Sequence, residues 1–297
     1  MTPASAAPAA AAPPGPFYRV LTFIRFSHTL FALPFALGAM LVAARGLPGV
    51  RPFVLILLCM VFARTAAMVF NRLADWEIDK RNPRTASRHR LVSRPVATAL
   101  LVASSGGFVA TTAFINPLCF ALSPVALGIV FFYSLTKRFT DWTQLFLGLA
   151  LSVSPVGAWL AVRGNFDLAP LVLAGTVLLW VAGFDLIYAT MDHDFDRQAG
   201  LRSMVVRYGV PASLRVARGL HAAALVGLAG FGIVAGLGLC YAVGLVLVVG
   251  AFIYEHRSVS GPGPLDVGVV NNAFFNANAF VGFVFVLSIL GDLLLRR

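Results

Sequence analysis

Acidic residues are scarce in this chain: 12 among 297, against 23 Lys and Arg. Charged residues of both signs make up only 12%, and hydrophobic residues 59%. A water-soluble domain carries about twice that share of charge, so the composition is that of an integral membrane protein. Cysteine is rarer still. Cys59, Cys119 and Cys240 lie in separate apolar runs, with no Cys-x-x-Cys pair and no Cys/His metal spacing. Neither a disulfide framework nor a thiolate metal site is indicated. The formal net charge of +11 would suggest nucleic acid in a soluble protein. In an apolar chain such charge belongs to loops flanking membrane helices, and no nucleic-acid partner is expected.

What the chain has is a series of long apolar runs. Residues 1–16 are mostly Ala and Pro without the basic start of a signal peptide, and read as a disordered cytoplasmic tail. Residues 17–297 read as one intramembrane domain. The expected spans are 20–44, 53–72, 96–115, 118–136, 143–162, 169–191, 213–235, 237–254 and 269–294. The expected fold class is therefore an all-α membrane protein. It would have about nine transmembrane helices around a central cavity open to the cytoplasmic side and to lipid. With the N-terminus cytoplasmic, inner segments carry 17 Lys and Arg and outer segments 5, with Arg64 inside the second span. That bias sets a multi-pass orientation with the N-terminus inside, in the inner membrane of a bacterial cell.

The acids are not scattered. Asp75, Glu77 and Asp79 close the second run, and Asp185, Asp192, Asp194 and Asp196 close the sixth. Asn71, Asp75 and Asp79 are spaced i, i+4, i+8, which on a helix spreads them over only about 80°. Asp185, Asp192 and Asp196 are spaced i, i+7, i+11 and share a face in the same way. Asp75 and Asp192 are 117 residues apart, as are Asp79 and Asp196. The topology puts both clusters on the cytoplasmic side. Acids contribute little to topology, so their clustering points to a site.

Facing carboxylates suit a hard divalent cation, and Mg²⁺ is typically held by a few carboxylates plus substrate phosphates. Lys80, Arg81, Arg84, Arg88, Lys137, Arg138 and Arg197 lie nearby and would neutralise the rest of a diphosphate. A substrate with a diphosphate head and an apolar tail fits this layout, its tail in the bilayer or a greasy groove.

Here the residues carry a resemblance. The chain resembles the UbiA superfamily of intramembrane prenyltransferases. Its first motif, Asn-Asp-x-x-Asp-x-x-x-Asp, stands as Asn71-Arg-Leu-Ala-Asp75-Trp-Glu-Ile-Asp79, and its second as Asp192-His-Asp-Phe-Asp196. Asn-Pro-Arg-Thr-Ala-Ser-Arg at 82–88 and Tyr133-Ser-Leu-Thr-Lys137 resemble two further family stretches. Arg72 stands where the family usually has Asp, which removes one acid and adds a cation. With Phe26-Ser-His-Thr-Leu-Phe-Ala-Leu-Pro-Phe35, the wording is similar to the 4-hydroxybenzoate polyprenyltransferase-like branch. That branch includes enzymes proposed for menaquinone synthesis by the futalosine route.

The resemblance implies Mg²⁺-dependent transfer of a prenyl group from polyprenyl diphosphate to an aromatic carboxylate acceptor in quinone synthesis. The acceptor would be 4-hydroxybenzoate or a hydroxynaphthoate. Asp75, Asp79, Asp192 and Asp196, with Asn71, would hold the metal. Lys137 and Arg81 would bind diphosphate oxygens, with Arg72 beside them. Arg138 would receive the acceptor carboxylate, and Tyr133 would line its pocket. Asp185 aligns with Asp192 and joins the site. Arg64 is either a functional group or a structural partner of Asp185. His28 and Asn271, Asn272, Asn276 and Asn278 read as interhelical hydrogen-bonding groups. Two other readings stay open: a transferase of the same superfamily with haem, a chlorophyllide or a sugar phosphate as acceptor, and a cation-coupled transporter. The oligomeric state is unspecified.

Overall fold

The structure is a computed structural model that describes residues 15–25, 31–260 and 267–295. Most of the expected tail, residues 261–266 and His28 lie outside the described residues. Among those described, every regular element is helical, as expected for a chain whose backbone polar groups must be satisfied within the bilayer. Among the described residues, eight helices are long and apolar enough to cross a membrane.

The expected first span, 20–44, is not one helix. It is divided into α1 (Pro16–Phe23) and α2 (Leu33–Ala44). Pro34 stands in the first turn of α2, where its missing N–H costs nothing; further inside a helix it would break the ladder. At 12 residues α2 is too short to span the hydrocarbon on its own. The eight later spans fall where expected, to within a few residues. They are α3 (Val50–Ala74), α5 (Arg94–Ala113), α6 (Pro117–Thr136), α7 (Thr143–Arg163), α8 (Leu168–Ala189), α11 (Val210–Val234), α12 (Leu239–Ser258) and α13 (Val267–Leu295). Three short helices lie between spans: α4 (Trp76–Arg81), α9 (His193–Gln198) and α10 (Met204–Tyr208).

The core is aromatic. Phe35 of α2 packs its ring 4.8 Å from Trp180 of α8 and 4.7 Å from Phe285 of α13. Large apolar residues such as Val226, Ile233, Val246 and Phe283 are exposed on the outside, the surface a bilayer would cover. Where helices touch most closely, the side chain is absent: a Cβ on Gly148 of α7 would collide with the carbonyl of Leu178 on α8. A buried acid, Asp292, accepts from the backbone N–H of Gly238, Cys240 and Tyr241, and so caps the start of α12 from another helix. Of the asparagines in α13, Asn278 does bridge helices, donating to Glu255 at 2.9 Å, whereas Asn271, Asn272 and Asn276 face outward.

Candidate active site

Both acid clusters sit where a long helix breaks into a short one. The main-chain hydrogen bonds run on through the first break, from Asp75 N to Asn71 O at 2.9 Å and from Asp79 N to Asp75 O at 2.7 Å. Yet Asp75 itself leaves the helical region, at φ −96°, ψ 12°. The second cluster repeats this: after α8 comes a 3₁₀ turn, Thr190–Asp192, and Asp192 sits at φ −105°, ψ 3° before α9. The expectation of one shared helix face is thus corrected to a kinked one. Each kink aims its acids inward, and Asn71, Asp75, Asp79, Asp185, Asp192 and Asp196 line a single cavity of about 290 Å³.

Cations bind three of those acids. Lys137 Nζ donates to Asp75 Oδ2 at 2.6 Å, and Arg138 Nη2 to its Oδ1 at 3.0 Å. Arg88 Nη1 donates to Asp79 at 3.1 Å, with Arg72 Nη1 3.5 Å from its other oxygen. Arg84 grips Asp192 with two prongs, Nε at 2.8 Å on Oδ1 and Nη2 on Oδ2, while Asn82 adds a third hydrogen bond at 3.3 Å. The remaining Arg84 nitrogen, Nη1, donates to the Tyr188 hydroxyl at 2.9 Å, and Arg25 Nη1 donates to the same oxygen at 2.6 Å. Arg25 holds φ at 47°, a left-handed conformation costly for arginine. Arg202 ties the loops together: its N–H donates to Lys137 O at 2.8 Å, and its guanidinium to Phe139 O at 2.9 Å.

The cations outnumber the acids. Arg25, Arg64, Arg72, Arg84, Arg88, Lys137 and Arg202 line the cavity against five carboxylates. Burial pulls Arg88 down to about 10, and the neighbouring Arg72 and Arg25 add to the fall, with Asp79 opposing. Arg84 moves the other way: burial would lower it, but its hydrogen bond to Asp192 raises it above the usual arginine value.

Two expected residues are elsewhere. Arg81 is exposed, its Nε 3.4 Å from the carbonyl of Glu77, and it does not line the cavity. Arg138 binds Asp75 from behind, its other bonds going to Ser134 O and Ala74 O. Glu77 pairs with Lys80 at the surface, and Asp194 with His193. Arg25, Asn82, Tyr188 and Arg202 were not singled out from sequence. Two of them left a trace there: Asn82 opens the 82–88 stretch, and Tyr188 lies one helical turn before Asp192.

A second cavity of about 380 Å³ lies between α3, α5, α6 and α7, and its walls are almost wholly apolar. Arg64, Tyr133 and Leu151 line both cavities and mark the neck between them. Arg64 Nε has no hydrogen-bond partner among the described residues, and of the two readings open for Arg64 the pair with Asp185 is not among the ion pairs formed there. An aromatic wall lines the charged cavity: Phe31 just before α2, Phe184 and Tyr188 of α8 and Phe274 of α13, in ring contact at 4.7–5.6 Å.

The donor set also bears on a metal. Among the described residues no three acids, histidines or cysteines converge into a closed metal cage. Mg²⁺ does not ask for one: it is commonly held by one or two carboxylates, waters and substrate phosphates. Carboxylate and amide oxygens around a space big enough for a diphosphate fit that habit.

A charged cavity at the helix ends, joined to a greasy one within a membrane bundle, suits a substrate with a charged head and an apolar tail. Residues 32–288 match the UbiA prenyltransferase family, and the chain belongs to that family. It is 33% identical over 184 residues to a 4-hydroxybenzoate octaprenyltransferase of Vibrio atlanticus (strain LGP32), an alignment covering 61% of this chain and 65% of the relative, just under two thirds of its length. It superposes on the apo structure of a UbiA homolog from Aeropyrum pernix K1 with a TM-score of 0.80 and 33% identity, covering 89% of this chain and 98% of that one. A UbiA homolog from Archaeoglobus fulgidus bound to GPP and Mg²⁺ shares the fold, with a TM-score of 0.72 and 22% identity over 93% and 99% of the two chains.

Proposed function

We propose that this protein transfers a polyprenyl group from polyprenyl diphosphate to an aromatic acceptor that bears a carboxylate. The acceptor is of the 4-hydroxybenzoate type or a hydroxynaphthoate, and the product serves quinone synthesis. The observation that carries this reading is the neck at Arg64, Tyr133 and Leu151, which joins the charged cavity to the apolar one. A diphosphate in the first and its prenyl tail in the second puts the bond to be broken at the junction. The name of the Vibrio relative supports 4-hydroxybenzoate as acceptor, and the GPP and Mg²⁺ bound to the Archaeoglobus homolog support the donor and the metal.

Asp75, Asp79, Asp192 and Asp196, with Asn71, would hold Mg²⁺. Bound there, it would supply positive charge to the diphosphate as negative charge develops on it. Lys137, Arg84, Arg88 and Arg72 take diphosphate oxygens, and the burial and neighbouring cations that depress Arg88 favour the arrival of an anion. The C–O bond breaks, its electron pair leaves with the diphosphate, an electron-rich ring carbon bonds to the allylic carbon, and that ring carbon then gives its proton to the departing diphosphate, which restores the aromatic ring. Apolar walls and the aromatic wall keep water from that carbon. Arg64 receives the acceptor's carboxylate, because its Nε is unpartnered and it stands at the neck, whereas Arg138 is turned away. By the distribution of basic residues the charged end faces the cytoplasm, in a bacterial inner membrane.

The test uses the full chain in membranes with Mg²⁺, a radiolabelled polyprenyl diphosphate, and each acceptor separately. Prenylated product from one acceptor, lost on adding EDTA, is the expected result. Folded protein that releases no diphosphate with any acceptor would overturn the reading.

A further inference from the structure

We propose that metal and diphosphate bind this site only as a pair, because the cations that receive the diphosphate are those that hold the metal-binding carboxylates. The proposal rests on the reading of the cavity as a prenyl diphosphate site and adds how that site is kept closed to either ligand alone.

Three of the five cavity carboxylates are already bound. Asp75 is held by Lys137, Asp79 by Arg88 and Arg72, and Asp192 by Arg84. All four of these cations line the cavity, and each pair is at least partly buried. A metal arriving alone must displace a guanidinium or an ammonium from Asp75, Asp79 or Asp192, leaving only Asp185 and Asp196 without an ion pair to break. It also enters a cavity with seven cations against five carboxylates. Like charges that lose their partners in a low-dielectric space are strongly disfavoured. A diphosphate arriving alone meets the converse difficulty: each cation it draws away strands a buried carboxylate. When both arrive, the four cations pass to the phosphate oxygens and the acids they held pass to the metal, so neither set is stranded. The exchange of partners is one rearrangement, and the coupling it creates is reciprocal.

Arg84 is the pivot of this exchange. One guanidinium spans Asp192 and Tyr188, and the loop that carries it also holds Asp192 through Asn82. Lys137 plays the same part for Asp75, from a loop fixed by Arg202. Neutralising either cation should therefore move the two ligands in opposite directions, which a purely structural role would not do.

The experiment uses full-length protein in detergent. Mn²⁺ is the metal probe, followed by loss of its free electron-spin resonance signal, and an unreactive geranyl thiolodiphosphate is the donor probe. In Arg84→Gln, and separately in Lys137→Gln, Mn²⁺ alone should bind more tightly than in wild type, by about fivefold or more at the low end of typical coupling. The thiolodiphosphate should bind more weakly by about tenfold. Arg84→Lys, which keeps the charge, should fall between. Variants that elute and melt like wild type but bind Mn²⁺ alone no better would overturn the proposal, as would wild type binding each probe equally well with and without the other. Wild type that binds no thiolodiphosphate even with Mn²⁺ overturns the prenyl diphosphate reading itself, and the pairing with it.

Discussion

Asp75 and Asp192, 117 residues apart, occupy the same backbone conformation: φ −96°, ψ 12° for one and φ −105°, ψ 3° for the other. Each ends one helix and starts a short one, in a sparsely populated region where many active-site residues sit. The two halves of the chain thus bring equivalent pivots to opposite sides of one cavity. The partners differ, a lysine and an arginine from the α6 end for Asp75 and an arginine from the α4–α5 loop for Asp192.

The first prediction concerns the pivots. Asp75→Asn and Asp192→Asn should each lower kcat by about 10²-fold or more, the usual loss when one electrostatic element of a transition state is removed. Asp75→Ala should also lower the melting temperature, because Lys137 and Arg138 lose a shared, buried partner. Product formation and a thermal melt in the same detergent check both halves. Retained kcat in either asparagine variant would remove that acid from the reaction.

Arg64 should read the acceptor and ignore the donor. Arg64→Gln removes a charge-assisted bond to a carboxylate, worth about 1.5–3 kcal/mol. The KM for a carboxylated acceptor should therefore rise by about tenfold to a hundredfold, with the KM for the prenyl diphosphate within about twofold of wild type. An equal rise in both constants would place Arg64 on the diphosphate instead.

The sequence carried the eight later spans and the two acid clusters, because apolar length and acid spacing are local properties. It did not carry the break in the first span, where α1 ends at Phe23 and Arg25 takes a left-handed conformation, or the pivots, which are backbone conformations with no residue type of their own. The choice among the arginines was hidden as well. Arg81, Arg84 and Arg88 look alike in sequence, but α4 carries Arg81 outward, and the loop from Asn82 turns Arg84 and Arg88 in. Likewise Tyr188 gains its meaning from Arg25, 163 residues away.

Gly157 offers a test of the tail cavity. It lines the apolar cavity, and a Cβ there meets no atom within 4 Å. Gly157→Phe should fill that space without straining the helix. The ratio of kcat/KM for a long-chain donor over GPP should drop by about tenfold, since lost apolar contacts of a few methylenes are worth that much or more. Equal losses for long and short donors would put the tail elsewhere.

Asp292 supplies the contrast. It is as buried as Asp75, yet it accepts from three backbone N–H groups at the start of α12, at 2.7, 3.0 and 3.1 Å. Asp292→Ala strands those donors and should destabilise the protein by about 2 kcal/mol, as loss of a buried cap does. Asp292→Asn, which keeps one acceptor oxygen, should recover part of that. At temperatures where the variant is folded, kcat and both KM values should match wild type, because α12 begins at the opposite end of the bundle from the pivots. A buried acid in an apolar helix is therefore not in itself a mark of chemistry. What separates the two kinds is the partner: Asp292 serves backbone that would otherwise go unbonded, whereas Asp75 and Asp192 hold movable cations that a diphosphate can take away.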